Sequence, residues 1–338
     1  MPILPPAIRG SPNQQTTRMH NVESILAENW FYEVPKFQRW YSWGSTQVED
    51  FLQDISSSIR MQEMHSFGSI EATNSGETHE WDYNRNNIDV SYPVFLISDG
   101  QQRITTMFLF WFAVCHFERA EGRHDMYADL QRKFFRRNAR GDIVAPFLKL
   151  QEDELDNGLK QLAENGNINA IPLDQQTSAV HKMRDTFIQI STFIGNLSDL
   201  ERDAYYTQIM SRTEIVLVFG FADPHVKFEV RNNRGIDVSE LDRTKNMIQL
   251  IGKRTEHDRF EFSNDWYESL KQLDLNRLSG NDDELLGHTM TMFDGTHFGI
   301  GKYSTFREYF LELATSYNAA DPDHAAKIDD LERWVQCF

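Results

Sequence analysis

Residues 92–118 read YPVFLISDGQQRITTMFLFWFAVCHFE, and this stretch decides the fold. The segment Tyr92 to Ile97 predicts a buried strand, Asp99-Gly100 predicts a turn, and the apolar run from Ile104 predicts a helix of about four turns. A strand that turns at once into a helix places backbone N–H groups and the positive end of the helix beside the side chains of the turn. The order therefore predicts an α/β core with an anion site at this turn.

The side chains of the turn have the chemistry that nucleotide hydrolysis requires. Asp99 could hold a divalent metal, and Arg103 could clamp a phosphate group. Gln101 and Gln102 could orient water or contact the edge of a base. The alternative is that Asp99 only caps the helix and that Arg103 is an ordinary surface residue of its first turn. These residues alone leave both interpretations open.

A second group of polar and aromatic residues, FQRWYSW at 37–43, follows a predicted strand at Trp30 to Val34 and Pro35. A cation, an amide and several aromatic rings so close together can stack on bases and contact phosphate. The same residues can form a plain aromatic core in which Arg39 is ion-paired.

Two further stretches carry positive charge. The sequence FEVRNNRG at 228–235 contains a turn signal, yet a loop of this kind before a helix can also complete a phosphate pocket. The sequence QRKFFRRNAR at 131–140 places Arg132 and Arg136 at i, i+4 spacing with Arg137 beside them. This basic stretch can contact a nucleic-acid backbone or dock on an acidic part of the same chain.

The composition limits the classes of function. The chain has 338 residues with 34 Lys plus Arg against 51 Asp plus Glu, a net charge of −17, which repels polyanions unless positive groups are concentrated locally. Residues 141–338 hold 20 basic and 34 acidic residues, so most of the negative charge lies there. Two cysteines, Cys115 and Cys337, exclude a disulfide framework within one chain and indicate a reducing cytoplasm. The longest apolar run is too short for a membrane span.

The periodicity predicts three regions. Residues 1–20 contain four prolines and predict a flexible arm. Residues 21–145 predict an α/β domain that includes a strand at 67–72 and a long loop at 73–91. Residues 146–338 predict a mainly helical domain with one strand at 214–219. The predicted helices are 21–27, 48–59, 104–117, 155–163, 178–194, 198–209, 239–252, 266–275, 304–314 and 328–338.

Three motifs in this order resemble a known family: FQRWYSW at 37–43, DGQQRITT at 99–106 and NNRGIDVSELDRTKN at 232–246. The chain resembles the N-terminal domain of GmrSD-type and SspE-like proteins, the type IV restriction systems that act on modified foreign DNA. The resemblance implies an α+β fold, with a ParB-like (sulfiredoxin-like) core and a small mixed sheet followed by helices.

The resemblance also implies roles for particular residues. Asp99, Gln101, Gln102 and Arg103 become the set that hydrolyses a nucleoside triphosphate, with Mg²⁺ at Asp99. Further residues are expected to bind the nucleotide: Gly100, Arg39, Asn233, Arg234, Gly235 and Lys245. The aromatic motif and the basic stretch are expected to contact DNA, and in SspE-like members this DNA is phosphorothioate-modified. The expected contact residues are Phe37, Gln38, Arg39, Trp40, Trp43, Arg132, Arg136 and Arg137.

Full-length members carry a C-terminal HNH-type nuclease domain, and this chain has no such His-Asn-His pattern. We therefore expect a cytoplasmic NTPase module that senses DNA and does not cleave DNA alone. Its expected partners are a nuclease domain or subunit and a second copy of the chain in a homodimer. Two alternatives stay open. One is a non-catalytic module that binds modified DNA, and the other is a regulatory domain whose acidic helical part recruits a partner.

Overall fold

The computed structural model describes residues 16–27, 30–36, 38–81, 90–137, 143–220, 240–255, 268–269, 271–272 and 303–337. The chain forms two compact units. The first comprises Met1–Lys36 with Trp40–Pro224, and the second comprises Phe37–Arg39 with His225–Phe338. Within the described residues, no helix is both long enough and apolar enough to cross a membrane.

The first unit is built on a mixed β-sheet. The strands in chain order are β1 (Thr16–Asn21), β2 (Phe31–Glu33), β3 (His65–Trp81), β4 (Val90–Asp99), β5 (Phe135–Arg137), β6 (Ile143–Pro146), β7 (Leu148–Lys149) and β8 (Thr213–Gly220). Six of them form one sheet in the order β1-β8-β3-β4-β2-β7, while β5 and β6 pair separately. The β1/β8 and β3/β4 pairs are antiparallel, and the β3/β8, β2/β4 and β2/β7 pairs are parallel.

In the first unit, helices pack around this sheet. In the second unit, the described secondary-structure elements are helices. The first unit contains α1 (Val22–Ala27), α2 (Ser45–Met61), α3 (Gln101–Ala120), α4 (His124–Phe134), α5 (Asp153–Asn165), α6 (Ser178–Gly195) and α7 (Asp199–Ser211). The second unit contains α8 (Glu240–Thr255), α9 (Tyr303–Thr315) and α10 (Pro322–Cys337). The predicted mixed α+β class is confirmed.

Helix α3 is the centre of the first unit. Every residue from Ile104 to Cys115 is at most 2% exposed, so the helix is buried on all sides, as its continuous apolar sequence requires. The ring of Trp111 stacks on Phe134 of α4 with a centroid distance of 5.2 Å. The predicted strand, turn and helix from Tyr92 onward are confirmed, and the turn is held between the sheet and the core helix.

The end of α3 carries a buried charge cluster. The Glu118 side chain is fully buried, and its Oε2 lies 2.6 Å from Nε of Arg123. The hydroxyl of Tyr206 in α7 donates a hydrogen bond of 2.9 Å to Oε1 of Glu118. Because a buried carboxylate without partners is costly, these two contacts stabilise the junction of α3, α4 and α7.

Helix α5 is tied to its surroundings at both ends. Near its start, Oδ1 of Asp156 accepts a 3.1 Å hydrogen bond from the backbone N–H of Leu150, and burial raises the pKa of Asp156 to about 6. Near its end, the carbonyl oxygens of Leu162 and Ala163 both lie 3.1 Å from Nε2 of His116 in α3. These contacts fix α5 against the core helix.

The sequence predictions are wrong in two places. Residues 16–20 of the expected arm are part of β1, which pairs with β8 from Thr16↔Phe219 to Asn21↔Glu214, while residues 1–15 lie outside the described part. Residues 73–81 of the expected loop continue β3, which pairs with β4 up to Trp81↔Val90. Both segments have few apolar residues, so their sequences lack the alternation that predicts a half-buried strand. The rest of that loop, 82–89, is outside the described residues.

The division of the chain also differs from the expected boundary at 145/146. Helices α5 to α7 and strand β8 belong to the first unit, and the division falls after Pro224. The physical reason is that β8 lies between β1 and β3 and is hydrogen-bonded to both. The helix expected at 266–275 lies outside the described residues except for 268–269 and 271–272.

Candidate functional site

The turn between β4 and α3 is a tight backbone reversal. Gly100 has φ +88°, and a Cβ atom there would lie 3.0 Å from the carbonyl oxygen of Ser69, so only glycine fits. The N–H of Gly100 donates a 2.8 Å hydrogen bond to Oδ1 of Asp99. Helix α3 begins at Gln101 with no side-chain cap at Gly100. Such a helix start is a suitable place for an anion.

Arg103 is held at this turn by strand β3. Its Nη2 donates a 2.6 Å hydrogen bond to the carbonyl oxygen of Ser69 and lies 3.8 Å from Oδ2 of Asp99. The Arg103 and Asp99 side chains are 29% and 31% exposed. The guanidinium is therefore fixed in direction yet accessible, and it has further N–H donors that can meet a phosphate group.

Strand pairing brings a second carboxyl group to this turn. Glu71 of β3 is the register partner of Asp99 at the end of β4, next to an irregularity in the pairing between Glu71 and Ala72. Glu71 is only 7% exposed. Glu71 was not among the predicted site residues, although a charged residue inside the predicted strand 67–72 was a usable signal.

The oxygen ligands at the turn fit a Mg²⁺ ion that is bound together with the phosphate groups of a nucleotide. Mg²⁺ commonly takes one or two carboxylates from the protein and completes its coordination with water and substrate phosphates. Asp99 supplies a carboxylate of this kind, and Glu71 is its register partner in the sheet. Within the described residues, no group of three or more His, Cys, Asp or Glu side chains forms a metal site by itself.

Gln102 contacts the aromatic motif. Its Nε2 donates a 3.0 Å hydrogen bond to the carbonyl oxygen of Trp40, and its Oε1 accepts a 2.8 Å hydrogen bond from the N–H of Ser42. The side chain is buried, with 6% exposure. Both ends of the amide are therefore used to hold backbone.

Gln101 points to a different partner. Its Oε1 accepts a 3.0 Å hydrogen bond from Nε2 of Gln151, and both side chains are buried. The two adjacent glutamines of the turn thus make separate contacts, one with the 40–42 backbone and one with the segment that precedes α5.

Tyr41 lies in the core rather than at the surface. Its hydroxyl is 2.8 Å from Oγ1 of Thr106 in α3 and 3.3 Å from Oγ1 of Thr186 in α6. Burial raises the pKa of Tyr41 to about 12. This residue follows the aromatic-core interpretation of the motif.

The other residues of the aromatic motif have mixed environments. Trp40 and Trp43 are half-buried and pack against the main core. Gln38 is buried and Arg39 is half-buried, and both belong to the second unit. Phe37 lies outside the described residues.

The basic stretch is partly neutralised by acidic neighbours. Arg132 of α4 is exposed, and its Nη2 lies 3.4 Å from Oδ1 of Asp129. Lys133 lies 3.3 Å from Glu23 and 3.2 Å from Asp129. Arg136 and Arg137 are in β5, but their side chains lie outside the described part.

Of the nucleotide-binding residues expected after position 230, only Lys245 lies in the described part of the chain. Asn233, Arg234 and Gly235 are outside the described residues. Lys245 is in α8 of the second unit and is only 5% exposed. Around the turn, the structure brings Arg103 together with Asp99 and with the carbonyl oxygen of Ser69. Gly68 packs against the Arg103 guanidinium, and Glu71 lies opposite Asp99 in the sheet.

One comparison with known families is informative. The profile of the family described as "GmrSD restriction endonuclease, N-terminal domain" matches residues 22–249 of this chain. That range contains the aromatic motif, the Asp99–Arg103 turn and Lys245. No curated protein matches the chain.

Proposed function

The chain belongs to the family of GmrSD restriction endonuclease N-terminal domains, and from this premise we propose that its Asp99–Arg103 turn binds and hydrolyses a nucleoside triphosphate to control DNA restriction. The family makes the chain a domain of a type IV restriction system, which acts in defence against phage. We further propose that the signal it senses is modified foreign DNA, with cleavage left to a nuclease domain or subunit.

The observation that carries the proposal is the position of Arg103. Its guanidinium is fixed by the Ser69 carbonyl, lies beside Asp99 and stays accessible at the start of a long helix. A preorganised guanidinium of this kind stabilises the charge that develops on a phosphoryl group during transfer. The uncapped start of α3 contributes backbone donors to the same anion.

The carboxylates beside Arg103 would repel a bare triphosphate. Mg²⁺ held by Asp99, with Glu71 close by, would neutralise part of the phosphate charge when bound. Asp99 thereby has two roles in the proposal: it orients Arg103 through their 3.8 Å ion pair and it presents an oxygen to the metal.

DNA recognition is proposed for the half-buried side chains of Trp40 and Trp43. Half-buried indole rings are suited to stacking on an unstacked base, and stacking of this kind contributes about 1–3 kcal/mol per base. Arg132 is a weaker candidate, because Asp129 already contacts it.

A second candidate function is binding of modified DNA without nucleotide hydrolysis. One observation favours it: the side chains of Gln101 and Gln102 are both hydrogen-bonded within the protein, so neither is positioned to orient an attacking water while those bonds persist. In that case the Asp99–Arg103 turn would contact DNA phosphate instead of a nucleotide.

The test is phosphate release from each common nucleoside triphosphate with Mg²⁺, with and without modified and unmodified DNA. We expect Arg103→Ala to lower the rate by at least about 100-fold, the loss seen when one preorganised donor is removed from a reaction site. The matched control is Arg184→Ala, because Arg184 is a surface residue of α6 paired with Asp185. It should retain the wild-type rate, and both variants should keep the wild-type unfolding transition.

Each other outcome has a definite meaning. An Arg103→Ala variant that is folded and fully active removes the turn from the proposal. Absence of turnover in the wild type, together with DNA binding that weakens as salt rises, establishes the second candidate function instead.

A further inference from the structure

The hydrogen bonds of Gln102 have the pattern of a strand partner. A residue in a β-ladder donates to one carbonyl and accepts from one N–H of the neighbouring chain. Gln102 does the same with its side chain, donating to the Trp40 carbonyl and accepting from the Ser42 N–H on either side of Tyr41. It therefore holds the backbone of the aromatic motif whatever side chains that motif carries.

A second connection lies one helical turn further along α3. The Oγ1 hydroxyl of Thr106 donates a 2.9 Å hydrogen bond to the carbonyl oxygen of Gln102. Since a hydroxyl has a single proton, Thr106 must accept from the Tyr41 hydroxyl, and Tyr41 in turn accepts from Thr186. The chain of donors runs from Thr186 through Tyr41 and Thr106 to Gln102, so the motif is attached to the first turn of α3 by both backbone and side chain.

Gln102 is adjacent to Arg103 and lies in the same helical turn as the proposed anion site. A ligand at the anion site contacts Arg103 and the first N–H groups of α3, so a shift of this helical turn on binding also shifts the Gln102 amide. Because that amide holds Trp40 and Ser42, the movement reaches the aromatic motif without any intermediate element.

We propose that Gln102 is a positioning residue that couples the Asp99–Arg103 turn to the segment Trp40–Trp43. Ligand binding at the turn changes the position of the segment, and by reciprocity DNA bound at the segment changes the affinity of the turn for its ligand. The identities of the two ligands rest on the proposed function, whereas the attachment of the segment by Gln102 does not. Gln102 then regulates the reaction through backbone geometry and takes no part in the chemical step.

The experiment measures amide hydrogen exchange of peptides that cover residues 40–43 in the full chain. It is run without ligand, and then with Mg²⁺ and the imidotriphosphate analogues of GTP and of ATP in separate arms. The variants are Gln102→Met, which loses both hydrogen bonds, and Gln102→Glu, which can still accept from the Ser42 N–H. Gln101→Met is the matched control, because Gln101 is an equally buried glutamine of the same turn whose partner is Gln151.

Without ligand, Gln102→Met should raise exchange at Ser42 by about 10-fold, the effect of losing one net hydrogen bond, and Gln101→Met should leave it unchanged. Gln102→Glu should preserve most of the protection at Ser42. Gln102→Ala, which also loses both hydrogen bonds, replaces the methionine variant if that variant does not fold. With analogue, wild-type exchange over 40–43 should change, and this change should disappear in Gln102→Met although equilibrium binding of the analogue persists.

Wild-type exchange at Ser42 in a folded Gln102→Met variant overturns the positioning role. A change on analogue binding that is equal in the wild type and Gln102→Met, or absent from a wild type that binds analogue, overturns the coupling. If the wild type binds neither analogue, the proposed function fails and the nucleotide coupling fails with it. The comparison without ligand then still decides whether Gln102 positions the segment.

Discussion

A Cβ atom added to Gly68 would lie 2.6 Å from Nη1 of Arg103, so the guanidinium packs directly on the backbone of β3. Gly68 has φ +81°, and Gly76 further along the same strand has φ +80° with nothing within 4 Å of an added Cβ. The two glycines have nearly the same φ, and of the two only Gly68 packs against Arg103.

We expect Gly68→Ala to displace Arg103 and to reduce nucleotide turnover, whereas Gly76→Ala should not. Both variants carry a similar backbone penalty of about 1 kcal/mol, because alanine is strained at positive φ. Steady-state phosphate release measures the effect of displacing Arg103, and denaturant unfolding measures the backbone strain that both variants share. Equal losses of turnover at equal stability would show that the close packing on Gly68 has no functional importance.

Tyr41→Phe should lower the free energy of unfolding by about 1–3 kcal/mol. The change leaves the buried hydroxyls of Thr106 and Thr186 without the phenol that lies 2.8 Å and 3.3 Å from them. The control is Tyr127→Phe, which removes a half-buried contact with Gln131 within α4 and should cost at most about 1 kcal/mol. Urea unfolding of both variants checks the difference, and an effect no larger for Tyr41 than for Tyr127 would contradict the donor chain.

Arg123→Met should destabilise the first unit by about 3–5 kcal/mol, because it removes the cation 2.6 Å from the fully buried Glu118. The double variant Arg123→Met with Glu118→Gln should recover much of this loss, since it removes the buried charge while the glutamine oxygen still accepts from the Tyr206 hydroxyl. The control, Arg132→Met, breaks the exposed pair with Asp129 and should cost less than about 1 kcal/mol. Chemical unfolding of the three variants gives the comparison, and a double variant no better than Arg123→Met would argue against a buried pair.

Asp156→Asn should stabilise the protein at neutral pH. The folded pKa of Asp156 is raised from 3.8 to about 6, so the folded state binds its proton more tightly than the unfolded state does. The contribution of this group to stability is therefore greatest below the unfolded pKa and is lost as pH rises through the folded pKa, a difference of roughly 3 kcal/mol. The asparagine oxygen can still accept from the Leu150 N–H.

Unfolding free energies measured from about pH 4 to about pH 7 check this prediction. The gain of the asparagine variant over wild type should grow with pH across that window. A gain that is constant with pH would mean that Asp156 titrates normally.

Local pattern was sufficient to predict the strand, turn and helix around Asp99, because the apolar run of α3 is long and the Asp-Gly pair marks the turn. The Ser198 cap of α7 was predictable for a similar reason: Ser198 and Glu201 form a reciprocal capping box three residues apart. Features whose interacting residues are close in sequence could therefore be predicted from the sequence.

The contacts that define the candidate site could not be predicted from local sequence patterns. Glu71 meets Asp99 only through the register of β3 against β4, and Gln102 meets Trp40 across 62 residues of chain. The strands at 16–21 and 73–81 were missed because they are polar and lack the alternation that marks a half-buried strand. Their formation depends on backbone partners that no local pattern specifies.

The placement of β8 between β1 and β3 has a consequence for synthesis of the protein. The ribosome releases the first strand, Thr16–Asn21, long before its hydrogen-bonding partner Thr213–Gly220 exists. A nascent chain can assemble β2, β3, β4 and α3 early, yet it cannot complete the sheet until nearly the whole first unit has emerged. Such long-range closure is slow, and it leaves strand edges open to other chains in the meantime. Truncations that end before residue 213 should accordingly require chaperones or aggregate, even though they contain the entire Asp99–Arg103 turn.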